Sequence, residues 1–258
     1  DYTALQERLR LDKDKSPIDF SKRILTRIFS NGRFDNGGRF YRAWWHNVPS
    51  EYRKYVTIDG KHTCEYDYSQ LNPHMVYFLR GAKMGDEDAY DRVFDGEHRD
   101  IVKEAFNAMI QASTNLTHKP KKLDLSQVDL DWPTLKQAIL DAHKPIADMF
   151  FQGHGNHLQF IDSCIAETVM LNFIRAEDAP VLPVHDSFIM HYAYGELGEL
   201  EEEMRRSFHG HFKKDINVKS EIGVMLPSSF DRKDWSELRF EEQIHGPPEY
   251  SQWEDRNP

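Results

Sequence analysis

The residues best suited to do chemistry in this chain are two acids set 119 positions apart, Asp67 and Asp186. Each follows an apolar or aromatic approach, in Cys64-Glu65-Tyr66-Asp67-Tyr68-Ser69-Gln70-Leu71-Asn72-Pro73 and in Val181-Leu182-Pro183-Val184-His185-Asp186-Ser187-Phe188-Ile189-Met190. An acid where a buried strand gives way to a turn is well placed to bind a metal. A hard divalent cation takes several oxygen ligands, so one such acid calls for a second. Between them runs a helical pattern in which Arg99, Lys103, Asn107 and Gln111 recur every fourth residue and share one face. Ile101, Val102, Ala105, Met109 and Ile110 fall on the other side and pack inward. Paired cations one turn apart suit phosphate groups, although the same spacing also describes a solvated stripe. Taken singly, Asp67 reads equally as a helix cap, and His185-Asp186 as a turn with a satisfied histidine.

The elements that must position these residues follow from periodicity and turn chemistry. Two β-rich runs flank Asp59-Gly60 between Tyr55 and Tyr66, which predicts a hairpin. A helix is expected after Pro73, then an acidic loop over 86–95 and a second helix from near Gly96. A polar loop over 114–131 contains Lys119-Pro120-Lys121-Lys122, and helices follow over 132–149 and 156–176. Pro180 to Tyr192 reads as strand, turn and strand, 196–212 as an amphipathic helix, and 216–225 as a last strand. Upstream, apolar positions at helical spacing over 1–30 predict two helices broken at Ser16-Pro17, with Asn31 to Gly38 as a linker. Gly38 to Pro49 interleaves Arg with aromatics. It suits base stacking and phosphate binding, or equally an aromatic core strand with solvated arginines. The tail from Pro227 has no clear period and is expected to wrap the surface.

Composition narrows the class. A chain of 258 residues with 39% hydrophobic and 29% charged content is globular, and no run approaches the roughly 18 apolar residues of a membrane span. No apolar leader opens the chain, so a cytoplasmic protein without membrane contact is expected. Cys64 and Cys164 sit in apolar surroundings and read as reduced core residues. Lys and Arg number 33 against 43 Asp and Glu, a net charge of −10 that argues against coating nucleic acid by bulk electrostatics. A local basic groove is still compatible with the cluster from Arg39 to Lys54.

Three motifs in a fixed order resemble the palm and fingers of family A, polymerase-I-like DNA polymerases. Tyr66-Asp67-Tyr68-Ser69-Gln70 matches the family's Asp-Tyr-Ser-Gln motif, Arg99 and Lys103 its Arg-x3-Lys helix, and Val184-His185-Asp186 its Val-His-Asp motif. Gly38-Arg39 resembles the segment lining the primer-template groove, Asn47-Val48-Pro49 the Asn-Ile-Pro after it, and Gln159 the glutamine that contacts template or primer. The match covers roughly residues 38–221. The resemblance implies two-metal phosphoryl transfer with Mg²⁺ or Mn²⁺, two ions held by Asp67, Asp186 and the Tyr68 carbonyl. It assigns Arg99 and Lys103 to the nucleotide phosphates, Lys103 also to protonation of the leaving group, and His185 and Arg39 to nucleic acid. The implied partners are nucleoside triphosphates and a template and primer, DNA ahead of RNA.

The departures from the pattern carry information. Asn72 stands where the family has the Glu that packs beneath the nucleotide sugar, Asn107 where it has Phe or Tyr against that sugar, and Gln111 where it has Tyr. Ser187 replaces the Glu that commonly follows His-Asp. A shorter neutral amide at position 72 leaves room for a 2′-hydroxyl, which points to relaxed sugar selection. Only 37 residues precede Gly38, too few for an exonuclease domain or a full helical thumb, so weak grip, low processivity and a protein partner supplying the thumb are expected. The fold expected is α+β: an antiparallel palm sheet over 38–225 backed by helices, with a small helical fingers insertion over about 80–150, an N-terminal helical segment over 1–37 and a tail over 226–258. Two rival classes remain at this stage, a polymerase-derived binding protein without catalysis and a His-Asp metal phosphohydrolase.

Overall fold

The computed structural model describes residues 18–126, 128–196 and 198–221. The first predicted helix and the C-terminal tail fall outside them, as do residues 222–225 of the last predicted strand. Residues 18–30 differ from expectation. The chain forms strand β1 (Thr26–Phe29) where periodicity predicts a helix, and β1 pairs antiparallel with β2 (Gly37–Tyr41). Thr26 and Ile28 are β-branched and favour extended backbone. Asn31 and Gly32, at φ 57° and 63°, let the chain reverse, so cross-strand pairing satisfies the backbone. Ile24 is 80% exposed, so the apolar spacing that suggested a helix marks no buried face. Gly38 allows β2 to lie against the helix that carries Ser163: a Cβ there would sit 2.9 Å from the Phe29 ring and 3.2 Å from Ser163 Oγ.

After a 3₁₀ turn at Trp44–Asn47 and the short helix α1 (Ser50–Arg53), β3 (Thr57–Ile58) and β4 (Lys61–Tyr68) form the expected hairpin. Asp59 and Gly60 both have positive φ, 52° and 75°, as the favoured two-residue turn demands. Three more strands complete the sheet: β5 (Leu182–Val184), β6 (Ser187–His191) and β7 (Val218–Glu221). All pairings are antiparallel. β4 is central, with β6 along Thr63 to Asp67 and β7 along Glu65 to Tyr68, while β5 pairs with β6.

The helices are α2 (Leu71–Arg80), α3 (Arg99–Gln111), α4 (Trp132–Ala142), α5 (Gly155–Glu177), α6 (Tyr192–Glu196) and α7 (Glu199–Phe212). α2 starts before Pro73 rather than after it, because a proline in the first turn has no helical hydrogen bond to lose. The single helix expected over 132–149 is broken. α4 stops at Ala142, and Pro145 enters a 3₁₀ turn over Lys144–Met149. The expected 196–212 helix starts three residues later, at Glu199, after Gly198 at φ 77°, and the short α6 precedes it.

Alternation along β4 sends Cys64, Tyr66 and Tyr68 into the core and leaves Glu65 and Asp67 half-buried on the other face. Tyr68 Oη donates to the Met204 carbonyl of α7 at 2.6 Å, and Tyr66 Oη to that of Gly195 in α6 at 2.9 Å. One buried cluster joins Tyr68 and Phe188 of the sheet to Met75, Phe106, Met109, Leu135, Ile139, Phe173 and Phe208. The architecture is α+β, with helices backing an antiparallel sheet. Cys64 and Cys164 are free thiols. No helix among the described residues is long and apolar enough to cross a membrane.

Candidate active site

Asp67 and Asp186 arrive at one end of the sheet by different routes. Asp67 is the penultimate residue of β4, and its Cα partner on β6 is Ser187. Asp186 belongs to the two-residue turn between β5 and β6, where Val184 pairs with Ser187 and His185 takes φ 59°. That backbone region is uncommon for a residue with a side chain. The Tyr68 N–H points at the Asp186 carbonyl at 3.4 Å, so the two segments run in contact. Two carboxylates and a strand-end carbonyl suit Mg²⁺ or Mn²⁺, which takes one or two protein carboxylates and completes its shell with water and phosphate oxygens. Among the described residues no group of three or more His, Cys, Asp or Glu side chains forms a self-sufficient metal cage.

The fold brings α3 across to α2. Asn72 Nδ2, in the first turn of α2, donates to Asn107 Oδ1 of α3 at 2.8 Å. The Tyr90 hydroxyl also hydrogen-bonds the Asn107 side chain, adding to this pair a residue that sequence reasoning missed. Tyr90 is buried, which pushes its phenol well above the ordinary value, and it feels the charges of Asp88, Arg99 and Asp186. It therefore lies within electrostatic reach of both Arg99 and Asp186.

Arg99 opens α3 with its guanidinium engaged. Nη2 contacts Asp88 Oδ2 at 2.7 Å, Nε lies 3.3 Å from Asp91 Oδ1, and Cζ sits 5.3 Å from the Tyr90 ring centre. The hydrogen bond to Asp88 raises the Arg99 pKa despite partial burial. The acidic loop is moored beside the first acid as well, because Ala89 N–H donates to Gln70 Oε1 at 2.5 Å. Lys103, one turn beyond Arg99, is exposed. Gln111 lies at the far end of α3 and packs on α5, where its Cγ would meet a Cβ at Gly155 at 2.6 Å.

On the other side of the sheet end, Arg39 Nε meets Asp162 Oδ2 at 2.6 Å, with side chains 19% and 3% exposed. Burial disfavours the Arg39 cation, but the charges of Asp162 and Asp186 outweigh it and raise the pKa. Burial and the Asp186 charge lift the Asp162 carboxyl to about 6 against the pull of Arg39. Gln159, one turn before Asp162 on α5, is half-buried. His185 stands at the hairpin tip with ring centres of Tyr41 and His46 at 5.7 and 6.3 Å. Trp45 Nε1 donates to the Pro183 carbonyl at 3.0 Å and ties that aromatic group to β5. Asp162 had a signal in the sequence, an acid among apolar helical positions. Tyr90 and Asp88, in an irregular loop, had none.

No protein-family model matches the sequence, and no curated protein does. In three dimensions the chain is similar to the POL domain of Pol1 from M. smegmatis, solved in complex with DNA primer-template and dNTP. The TM-score is 0.52 and the identity 14%, over 83% of this chain and 50% of that one. The chain thus spans about half the length of the structure it matches, and the likeness is one of fold.

Proposed function

We propose that the chain is a template-directed nucleotidyltransferase that adds nucleotides to a primer and accepts ribonucleotides as well as deoxynucleotides. One observation carries the reading: motifs far apart in sequence meet at one end of one sheet. Asp67 pairs with Ser187, the residue that follows Asp186, and the Asn72–Asn107 hydrogen bond ties α3 to α2, the helix that follows Asp67. Asp67, Asp186 and the Tyr68 carbonyl are the residues that would hold divalent cations. Bound there, such cations would activate the attacking hydroxyl and offset charge on the leaving oxygens.

The chain's own side chains do the rest. Arg99 and Lys103 bind the β and γ phosphates, and Lys103 delivers a proton to the departing pyrophosphate. Asp88 and Asp91 hold Arg99 until a triphosphate displaces them. Asn72 and Asn107 face the sugar, and a 2′-hydroxyl can exchange hydrogen bonds with their amides. Arg39, Gln159 and His185 face primer and template.

Incubation with Mg²⁺ or Mn²⁺, labelled ribo- or deoxynucleotides and a panel of primed DNA and RNA templates tests the reading. Asp67→Ala and Asp186→Ala should each lower addition by on the order of a thousandfold while template binding persists. Wild-type activity in both variants would remove the metal-carboxylate assignment. Template binding with no addition by the wild-type chain would identify a binding protein instead.

A further inference from the structure

A third acid adjoins the Asp67–Asp186 pair. Glu65 lies two residues before Asp67 on β4 and so on the same face, and its side chain is 12% exposed. Its Oε1 accepts from Ser187 Oγ at 2.6 Å and meets Arg53 Nη1 of α1 at 2.7 Å. Ser187 directly follows Asp186, and its Oγ also lies 3.1 Å from the Val184 carbonyl across the turn. A hydroxyl has one proton to give, and the shorter contact to a carboxylate is the stronger. Glu65 therefore ties the first residue of β6 to β4, at the foot of a turn whose His185 holds a left-handed φ of 59°. Such a backbone state persists only where surrounding contacts over-determine it. Arg53 offsets the charge of Glu65, so the acid can stand beside two metal carboxylates without adding an uncompensated negative charge.

We infer that Glu65 is a positioning residue which, with Ser187 and Arg53, fixes the β5–β6 turn so that Asp186 is held ready to share cations with Asp67. The inference rests on the nucleotidyltransferase reading for its purpose, though not for its geometry. It gives Ser187 a role of its own: the acid absent after Asp186 is met by one on the neighbouring strand, acting through the serine hydroxyl.

The test compares wild type, Glu65→Ala, Glu65→Gln, Ser187→Ala and Asp186→Ala. Mn²⁺ affinity is read from the electron paramagnetic resonance of free ion, and amide hydrogen exchange over 184–188 is read in metal-free protein. Glu65→Ala and Ser187→Ala should each weaken Mn²⁺ binding by about tenfold, the scale of outer-shell partners, and should speed exchange in the turn. Glu65→Gln keeps an acceptor for Ser187 and should bind Mn²⁺ within about threefold of wild type. Wild-type exchange and affinity in Ser187→Ala would overturn the inference, as would a Gln variant no better than Ala. Should Glu65→Ala fail to fold, Ser187→Ala decides, since it removes only one hydroxyl. Wild-type protein that binds Mn²⁺ no better than Asp186→Ala would overturn the metal role and the nucleotidyltransferase reading. The exchange data would then still decide whether Glu65 holds the turn.

Discussion

A primary amide both donates and accepts hydrogen bonds, whereas a carboxylate only accepts, and this difference at position 72 governs which sugar the proposed site admits. Asn72 spends one donor on Asn107, which Tyr90 also contacts, so the amide planes are fixed rather than free to swing away. Asn72→Glu puts a longer, charged group in the same space. It should lower ribonucleotide addition by about tenfold or more relative to deoxynucleotide addition, read as the ratio of kcat/KM values. An unchanged ratio would take sugar selection away from this residue. Side chains of this kind were legible in the sequence to the extent that type and spacing carry chemistry. Asp67, Asp186, Arg99 and Lys103 are of the types that the proposed metal and phosphate contacts call for, and their spacing is visible in the sequence. Tyr90, by contrast, is one aromatic in an acidic loop, and only tertiary packing brings its hydroxyl to Asn107. Glu65 was equally silent, because its bond to Ser187 spans 122 residues.

Among the elements, the loop before α3 couples the proposed phosphate-binding helix to the sheet end. Asp88 neutralises the Arg99 cation that we propose binds the triphosphate, so it would compete directly with that substrate. Asp88→Asn keeps the size of the side chain and removes its charge. It should lower the nucleotide KM by about threefold to tenfold, given partial exposure of the pair, and steady-state kinetics against nucleotide concentration checks this. A second prediction concerns α6, whose Gly195 lies against β4. A Cβ there would stand 2.4 Å from Cys64 Sγ and 2.9 Å from the Tyr66 ring. Gly195→Ala should cost about 1–3 kcal/mol by overpacking, measured by urea unfolding. Elements with strong local signals were readable in advance: the Asp59-Gly60 hairpin, α3 with its apolar face, and the strand-turn-strand around His185-Asp186. β1 was not, because its helical spacing of apolar residues arose without a buried face. The pairing of β4 with both β6 and β7 was equally beyond reach, since neither partner is local.

At the scale of the whole molecule, buried histidines and one buried acid respond to acidification in opposite senses. Burial lowers His74 and His143 from 6.5 to about 4, and His143 also feels the Arg92 charge. Their neutral forms support the fold fully above pH 6.5, and that support is lost as pH falls through about 4. Asp162 runs the other way. Its folded carboxyl takes a proton near pH 6 and its unfolded one near 3.8, so acidification across that interval favours the folded state. Burial also lowers His46, His154, His185 and His211, so the histidines outweigh the one acid and net stability should fall between pH 7.5 and about 5. His74→Leu, beside the rings of Phe78 and Phe208, should flatten that fall; an unchanged slope in urea titrations would show that this histidine does not drive it. The central place of β4 has a further consequence, in time rather than in space. The strand is complete once residue 68 has been made, but beyond its short hairpin with β3 at Lys61 and His62, its partners begin only at residues 187 and 218. A nascent chain therefore carries Cys64, Tyr66 and Tyr68 on an unpaired edge while residues 69–186 are still being synthesised. That long wait favours slow folding and association with other unfinished chains, and it delays assembly of the site until nearly all of the described sequence has left the ribosome.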